Sequence, residues 1–196
     1  MPKVYWQTLD AGDNDPYSFL RYLIASLCQT DPRFEDALTS VLSSFPQPPF
    51  QVVLGLLINE LLDTGEPLVL VLDDYQFISN AVIQEGMVYF IDRLPHNVHV
   101  VMAARSDPPL ALARLRAQRN LLEIRANELE FTSAETTQLI NENLALGISA
   151  NDVALLLERT EGWVAGLQMV GFAMKNQPDS AAFVREFSGS NRYILD

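Results

Sequence analysis

The sequence has few basic residues. Lys3 and Lys175 are its only lysines, and 13 lysines and arginines stand against 25 aspartates and glutamates, so the formal net charge is −12. A DNA-binding surface needs clustered lysine and arginine side chains that replace the counterions of the phosphates. Arginines come close together here only at Arg114, Arg116 and Arg119. The composition therefore argues against direct contact between this segment and nucleic acid.

Cysteine and histidine are almost absent as well. Cys28 is the single cysteine, so no internal disulfide can form, and its apolar surroundings favour a buried thiol over a nucleophile. His96 and His99 are too few and wrongly spaced for a zinc site. No Gly-x-Ser-x-Gly elbow occurs either. These absences exclude the common zinc and nucleophilic hydrolase sites.

The sequence also lacks an apolar run of membrane-spanning length and a charged-then-apolar signal segment. Apolar residues make up 48% of the chain and charged residues 19%, a balance that allows a packed core and argues against disorder. We therefore expect a cytoplasmic protein without membrane contact.

Apolar strands alternate with amphipathic helices in the first two thirds of the chain. The run Leu68–Leu72 is aliphatic without polar alternation, which is typical of a strand buried on both faces of a parallel sheet. The alternation predicts βαβ units and an α/β fold with a mostly parallel sheet. The predicted strands are Val4–Leu9, Leu68–Leu72, Val98–Ala103 and Leu121–Ile124, and the predicted helices are Pro16–Leu27, Phe34–Leu42, Phe50–Leu62, Ala81–Arg93 and Leu110–Arg116.

After Phe131 the pattern is helical only. Thr132 and Glu135 have the spacing of a capping box, Ser149 with Asp152 repeats it more weakly, and a further helix starts in the segment 161–167. We therefore predict two domains, an α/β core over residues 1–131 and a small helical subdomain over residues 132–196.

Two acids, Asp73 and Asp74, follow the buried run Leu68–Leu72, which is the Walker B arrangement. Such a strand holds the first carboxylate where Mg²⁺ can sit, and the second is placed to orient a water against a γ-phosphate. Two acids that merely end a strand and begin a turn account for this short motif about as well when it is taken alone.

The next apolar run, Val98–Ala104, ends at Arg105, and an arginine there can stabilise phosphoryl charge. The alternative is a structural ion pair with Asp73 or Asp74. A phosphate-binding loop needs glycines and a Gly-Lys-[Ser/Thr] step. Neither lysine of this sequence is preceded by glycine or followed by serine or threonine. The Walker A element is therefore missing from it.

The order of these motifs resembles that of MalT-like (LuxR-type) regulators, which belong to the signal-transduction ATPases with numerous domains (STAND ATPases). The resemblance covers nearly the whole chain. The matching segments are Trp6–Pro16 with Phe19–Leu23 (just after the P-loop helix), Leu70–Tyr75 (Walker B), Arg105–Leu110 (sensor), Leu122–Arg125 with Leu129–Thr132 (strand and helix entry) and Thr160–Gln168 (helical signature).

By this resemblance, intact relatives bind ATP and Mg²⁺, multimerise on sensing an inducer and activate transcription through a C-terminal helix-turn-helix. The resemblance implies that Asp73 binds Mg²⁺ through water, that Asp74 and Arg105 are catalytic, and that Arg105 also contacts the phosphates, in each case only where a P-loop is supplied. We expect a fragment of this ATPase module that begins after the P-loop and stops near the start of a family helix at Asn191–Asp196. Alone it should be inactive and bind ATP weakly, with copies of itself or other domains of the same regulator as partners.

Two other functions stay open: a standalone, non-catalytic interaction module that keeps the ATPase fold, and a Mg²⁺-dependent phosphohydrolase. The resemblance also implies that the absent P-loop strand lies between Val98–Ala103 and Leu121–Ile124. We expect the latter strand to close directly onto the former, or a frayed gap to remain.

Overall fold

The computed structural model describes residues 1–31, 34, 41, 44, 46–175, 177 and 179–187. Most of the predicted helix Phe34–Leu42 and all of the segment Asn191–Asp196 lie outside the described residues. The described residues form two compact units that divide after Leu121. The assignment of domains 1–131 and 132–196 stays a prediction.

The first unit is built on a sheet of three parallel strands. These are β1 (Lys3–Thr8), β2 (Leu68–Asp73) and β3 (Val98–Met102), in the spatial order β1-β2-β3. The register pairs Thr8 with Asp73 and Leu72 with Met102, so all three strands end at the same edge. The predicted fold class, a parallel α/β sheet followed by a helical region, is confirmed.

Helices cover the sheet on the face that carries Tyr5, Leu70 and Leu72, and their apolar side chains form one core with these residues. The opposite face leaves Trp6 60% exposed. The first helix begins where its cap predicts: Asp15 accepts a hydrogen bond from Ser18 N at 2.8 Å. The helices of this unit whose bounds the structure gives are α1 (Pro16–Thr30), α2 (Phe50–Thr64), α3 (Ala81–Ile91) and α4 (Leu112–Ala117), with short 3₁₀ helices at Ala11–Asn14 and Tyr75–Phe77.

The predicted fourth strand, Leu121–Ile124, is wrong. This segment is not a strand, and Leu122 is 86% exposed. Its neighbours form local contacts: Asn120 N donates to Leu115 O at 3.0 Å, and the Arg125 guanidinium pairs with Glu123. A short apolar run does not become a strand without a neighbour to pair with. Of the two outcomes expected beside β3, closure by this segment is wrong too, since β3 pairs only with β2 in the described part of the chain.

The second unit consists of short helices around its own core, which includes Ile140, Leu156, Leu167 and Val184. None of the described helices in either unit is long and apolar enough to cross a membrane. Its described residues form the helices α5 (Ala126–Leu129), α6 (Ser133–Thr137), α7 (Ala150–Thr160), α8 (Val164–Lys175) and α9 (Ser180–Glu186), with a π-helical segment at Gln138–Asn143.

The capping box predicted at Thr132 is confirmed. The Thr132 hydroxyl accepts from Glu135 N at 3.3 Å, and the Glu135 carboxylate accepts from Thr132 N at 2.8 Å. These hydrogen bonds favour the ionised carboxylate, so they lower the pKa of Glu135 below its ordinary value.

Candidate functional site

The loops that follow the three strands begin side by side at the carboxyl edge of the sheet. Leu9 N donates to Asp73 O at 3.0 Å, which extends the pairing of β1 with β2. On the other side, Ala103 N donates to Leu72 O at 3.0 Å and Tyr75 N donates to Ala103 O at 2.9 Å. Ligands of open α/β sheets bind outside this edge of the strands. The predicted site residues therefore lie where such a fold places its chemistry.

Asp73 is the last residue of β2 and is half-buried. Its Oδ1 accepts from the backbone N–H of Asp74 at 3.0 Å, which orients the carboxylate. None of the described residues donates a hydrogen bond to its second oxygen. One oxygen of a carboxylate held by a buried strand is thus left for a ligand.

Asp74 adopts a left-handed backbone conformation, with φ of 57° and ψ of 38°. Few residues other than glycine adopt it, although aspartate and asparagine tolerate it better than most. The Asp74 Oδ1 accepts from Gln76 Nε2 at 2.7 Å. The second acid of the motif is therefore fixed both by its backbone turn and by its side chain.

Arg105 lies three residues beyond the end of β3 and is exposed. Its backbone N–H donates to Gln76 Oε1 at 3.2 Å. No described residue hydrogen-bonds or pairs with its guanidinium, so the alternative of an ion pair with Asp73 or Asp74 is not formed among them. The cation is left for another partner.

Gln76 was missed by the sequence analysis, although it connects Asp74 with the backbone of Arg105. Its signal in the sequence is slight: it is a polar residue between Tyr75 and the apolar pair Phe77-Ile78, directly after the two acids. Nothing in that spacing shows that its amide faces the loop after the next strand.

Asn14 was also missed, and it joins the loops that follow β1 and β2. Its Oδ1 accepts from the backbone N–H groups of Ser79 and Asn80, each at 2.8 Å, and its Nδ2 donates to Ser79 Oγ at 2.9 Å. In return, Asn80 Nδ2 donates to the Asn14 carbonyl at 3.2 Å. All three loops at the carboxyl edge are therefore tied together by side-chain amides.

Tyr75 anchors the turn after the acids in the core. It is buried, and burial raises its pKa to about 12, because the phenolate would lose its hydration there. Its hydroxyl finds no hydrogen-bond partner among the described residues. A neutral, buried phenol suits an anchoring role and does not suit proton transfer near neutral pH.

The carboxylates offer a sparse set of metal ligands. In the described part of the chain, no group of three or more His, Cys, Asp or Glu side chains could enclose a metal ion. Mg²⁺ suits such an edge, because it keeps several waters and binds proteins through one or two carboxylates together with substrate phosphates. The half-buried Asp73, whose second carboxylate oxygen accepts no hydrogen bond from the described residues, fits that coordination.

A cavity of about 350 Å³ lies elsewhere, within the second unit. It is lined by Glu130, Phe131, Ala154, Leu157, Glu158, Glu161 and Gly162. None of the predicted site residues belongs to it, so it gives no support to the strand-end chemistry.

Comparison with known proteins relates nearly the whole chain to transcriptional regulators. The chain is 34% identical to the HTH-type transcriptional regulator MalT of Klebsiella pneumoniae subsp. pneumoniae over 197 residues, which cover 97% of this chain and 22% of that protein. It is 34% identical to the MalT regulator of Serratia proteamaculans and 31% identical to that of Yersinia enterocolitica, in each case over 177 residues. No protein-family model matches the chain. The chain is thus homologous to a segment of roughly 200 residues and spans about a fifth of the length of these relatives.

Proposed function

We propose that this chain is the part of a MalT-like STAND ATPase module that carries the Mg²⁺-binding and phosphate-sensing strand ends. One observation carries the proposal: Asp73 ends a buried parallel strand, Asp74 follows it, and Gln76 joins Asp74 to the Arg105 segment at the same edge. Homology to MalT regulators over nearly the whole chain supports it. That the complete protein controls transcription is inferred from those relatives.

The chemistry assigns a separate task to each residue. Asp73, with one carboxylate oxygen held by Asp74 N, binds hydrated Mg²⁺. Bound Mg²⁺ would neutralise charge on the phosphates of ATP. Asp74 orients a water molecule for attack, and Arg105 directs an unpaired guanidinium at the phosphates. None of these residues replaces the backbone amides and the lysine of a P-loop, which normally supply several charge-assisted hydrogen bonds to phosphate.

The function is testable by exchange with a relative. In the Klebsiella pneumoniae MalT regulator, the homologous segment is replaced by this chain, so that the remainder of that protein supplies its own phosphate-binding elements. We expect the chimera to bind ATP in the presence of Mg²⁺. We expect Asp73→Asn in the chimera to weaken that binding about tenfold or more, because a Mg²⁺ ligand loses its charge.

Asp63→Asn is the matched control, since Asp63 is an exposed residue in the last turn of α2 and its substitution removes the same charge elsewhere. It should leave ATP binding unchanged. Equal loss of binding in both variants would show that net charge, and not the strand-end site, governs affinity, and would refute the assignment.

A non-catalytic interaction module is the second candidate, and one observation favours it. The sheet face opposite the helices exposes the apolar side chains of Val4, Trp6 and Val101. Exposed apolar patches often mark protein contacts, and other domains of the same regulator or a second copy would suit this one. This candidate predicts a folded chimera that assembles but binds no ATP.

A further inference from the structure

The side-chain amide of Gln76 bridges the ends of two neighbouring strands. Backbone hydrogen bonds connect the segments at Tyr75 and Ala103, and just beyond them the connection passes through Gln76. Its Nε2 donates to Asp74 Oδ1 at 2.7 Å, and its Oε1 accepts from Arg105 N at 3.2 Å. One planar group therefore contacts both the acid and the segment of the arginine.

The amide fits between these partners in one orientation only. A rotation of 180° about its terminal bond would point the NH₂ group at the N–H of Arg105 and the carbonyl oxygen at the carboxylate of Asp74. Both contacts would then be repulsive. The hydrogen bond at each end of the amide thus fixes the orientation that the hydrogen bond at the other end requires. Loss of either partner allows the amide group to rotate.

Asp74 itself occupies a sparsely populated backbone conformation at a strand end. Such conformations persist where surrounding contacts determine them, and they cluster at functional sites. The hydrogen bond from Gln76 is one such contact. The other end of the Gln76 amide accepts from the backbone N–H of Arg105 and does not contact the guanidinium. The bridge therefore positions the Arg105 segment and leaves the guanidinium available.

We propose that Gln76 is a positioning residue that couples the Asp74 carboxylate to the Arg105 segment, so that a change at the acid alters the placement of the phosphate-sensing arginine. The inference rests on the proposed function, which gives Asp74 and Arg105 their roles. Gln76 needs no contact with nucleotide or cation in this scheme.

Amide hydrogen exchange, measured by NMR on the full chain without nucleotide or metal, tests the coupling. Gln76→Leu removes the acceptor of Arg105 N–H, so exchange at that amide should accelerate about fivefold, as expected for one lost hydrogen bond. In Asp74→Gly, the glycine adopts the left-handed backbone conformation readily, but the carboxylate is removed. It should accelerate exchange at Arg105 about threefold, although the Asp74 carboxylate reaches that amide only through Gln76. Asp74→Asn keeps the Oδ1 acceptor and should restore slow exchange.

The double variant separates coupling from independent effects. In the Gln76→Leu background, Asp74→Gly should cause no further acceleration at Arg105, because the connecting amide is already gone. The Tyr75 amide, which bonds to Ala103 O, should stay protected throughout. Gln84→Leu is the matched control: it removes another glutamine amide near this edge, which donates to Ile78 O at 3.2 Å, and should leave Arg105 unaffected.

Three results would overturn the coupling. These are an unchanged Arg105 exchange rate in Asp74→Gly, the same Asp74→Gly effect with and without Gln76, or equal acceleration at Tyr75, which would mean that the whole turn has opened. The proposed function fails on a different result, namely the absence of ATP binding by the chimera, so the two failures are distinguishable.

Discussion

Gly86 provides a sharp test of how α2 and α3 pack over the sheet. A Cβ atom at this position would lie 2.2 and 2.6 Å from two ring carbons of Phe50 and 3.0 Å from Leu54 Cδ1. Phe50 and Leu54 are both buried, and the Phe50 ring also packs against Phe19 with centroids 6.3 Å apart. The ring therefore cannot turn away from a methyl group at position 86 without displacing other core side chains.

The expected cost follows from two opposing effects. Overpacking a buried site costs about 1–3 kcal/mol, and two contacts this far below 3.0 Å place Gly86→Ala at the upper end. Alanine is preferred to glycine inside a helix by about 1 kcal/mol, which offsets part of the cost. Gly86→Ala should therefore lower the free energy of unfolding by about 2 kcal/mol.

Gly55→Ala is the matched control within the facing helix α2. Its new methyl group would meet only Tyr89 Oη, at an ordinary 3.6 Å, so the helix preference should dominate and stabilise the chain by about 0.5–1 kcal/mol. Urea denaturation followed by circular dichroism measures both variants. A Gly86→Ala protein as stable as wild type would show that the two helices do not cross at this glycine.

Three further predictions concern other parts of the chain. Gln7 is 6% exposed, and neither of its amide atoms has a hydrogen-bond partner among the described residues. Gln7→Leu should therefore stabilise the chain by about 1–2 kcal/mol, as measured by urea denaturation. Destabilisation by this substitution would mean that the amide does have hydrogen-bond partners. Burial raises the pKa of Tyr75 from 10 to about 12, so the stability that this neutral phenol contributes is complete below pH 10 and is lost as the pH rises towards 12. Tyr75→Phe should therefore lose less stability than the wild type in alkaline denaturation. Equal alkaline sensitivity of the two proteins would speak against the burial of Tyr75. With a net charge of −12, the chain should not retard duplex DNA in a gel-shift assay at physiological salt, and salt-sensitive retardation would contradict this expectation.

The sequence predicts the sheet best where its apolar pattern is long and uninterrupted. The aliphatic run before Asp73 is typical of a buried parallel strand, and β2 forms there. The four residues Leu121–Ile124 carry a similar but shorter signal, and they fail to form a strand because no neighbour pairs with them in the described structure. Whether such an apolar run forms a strand therefore depends on its length and on a neighbouring strand with which it can pair.

The connections within the candidate site could not be predicted from local patterns. Asn14 and Ser79 are 65 positions apart, and Gln76 and Arg105 are 29 positions apart, so their contacts arise only after the strands align. The acids and the arginine carry a recognisable chemical signal in the sequence. The amides that join them do not, because glutamine and asparagine occur in many surface loops without such contacts.

Isothermal titration calorimetry with ATP and Mg²⁺, performed in parallel on the isolated chain and on the MalT chimera, tests most directly whether these strand ends are half of a nucleotide site. We predict micromolar binding by the chimera and no tight binding by the isolated chain, because its sequence contains no loop that cradles phosphate. No binding by a folded chimera would contradict the proposed function, and a micromolar dissociation constant for the isolated chain would contradict the inference that it lacks the phosphate-binding half of the site.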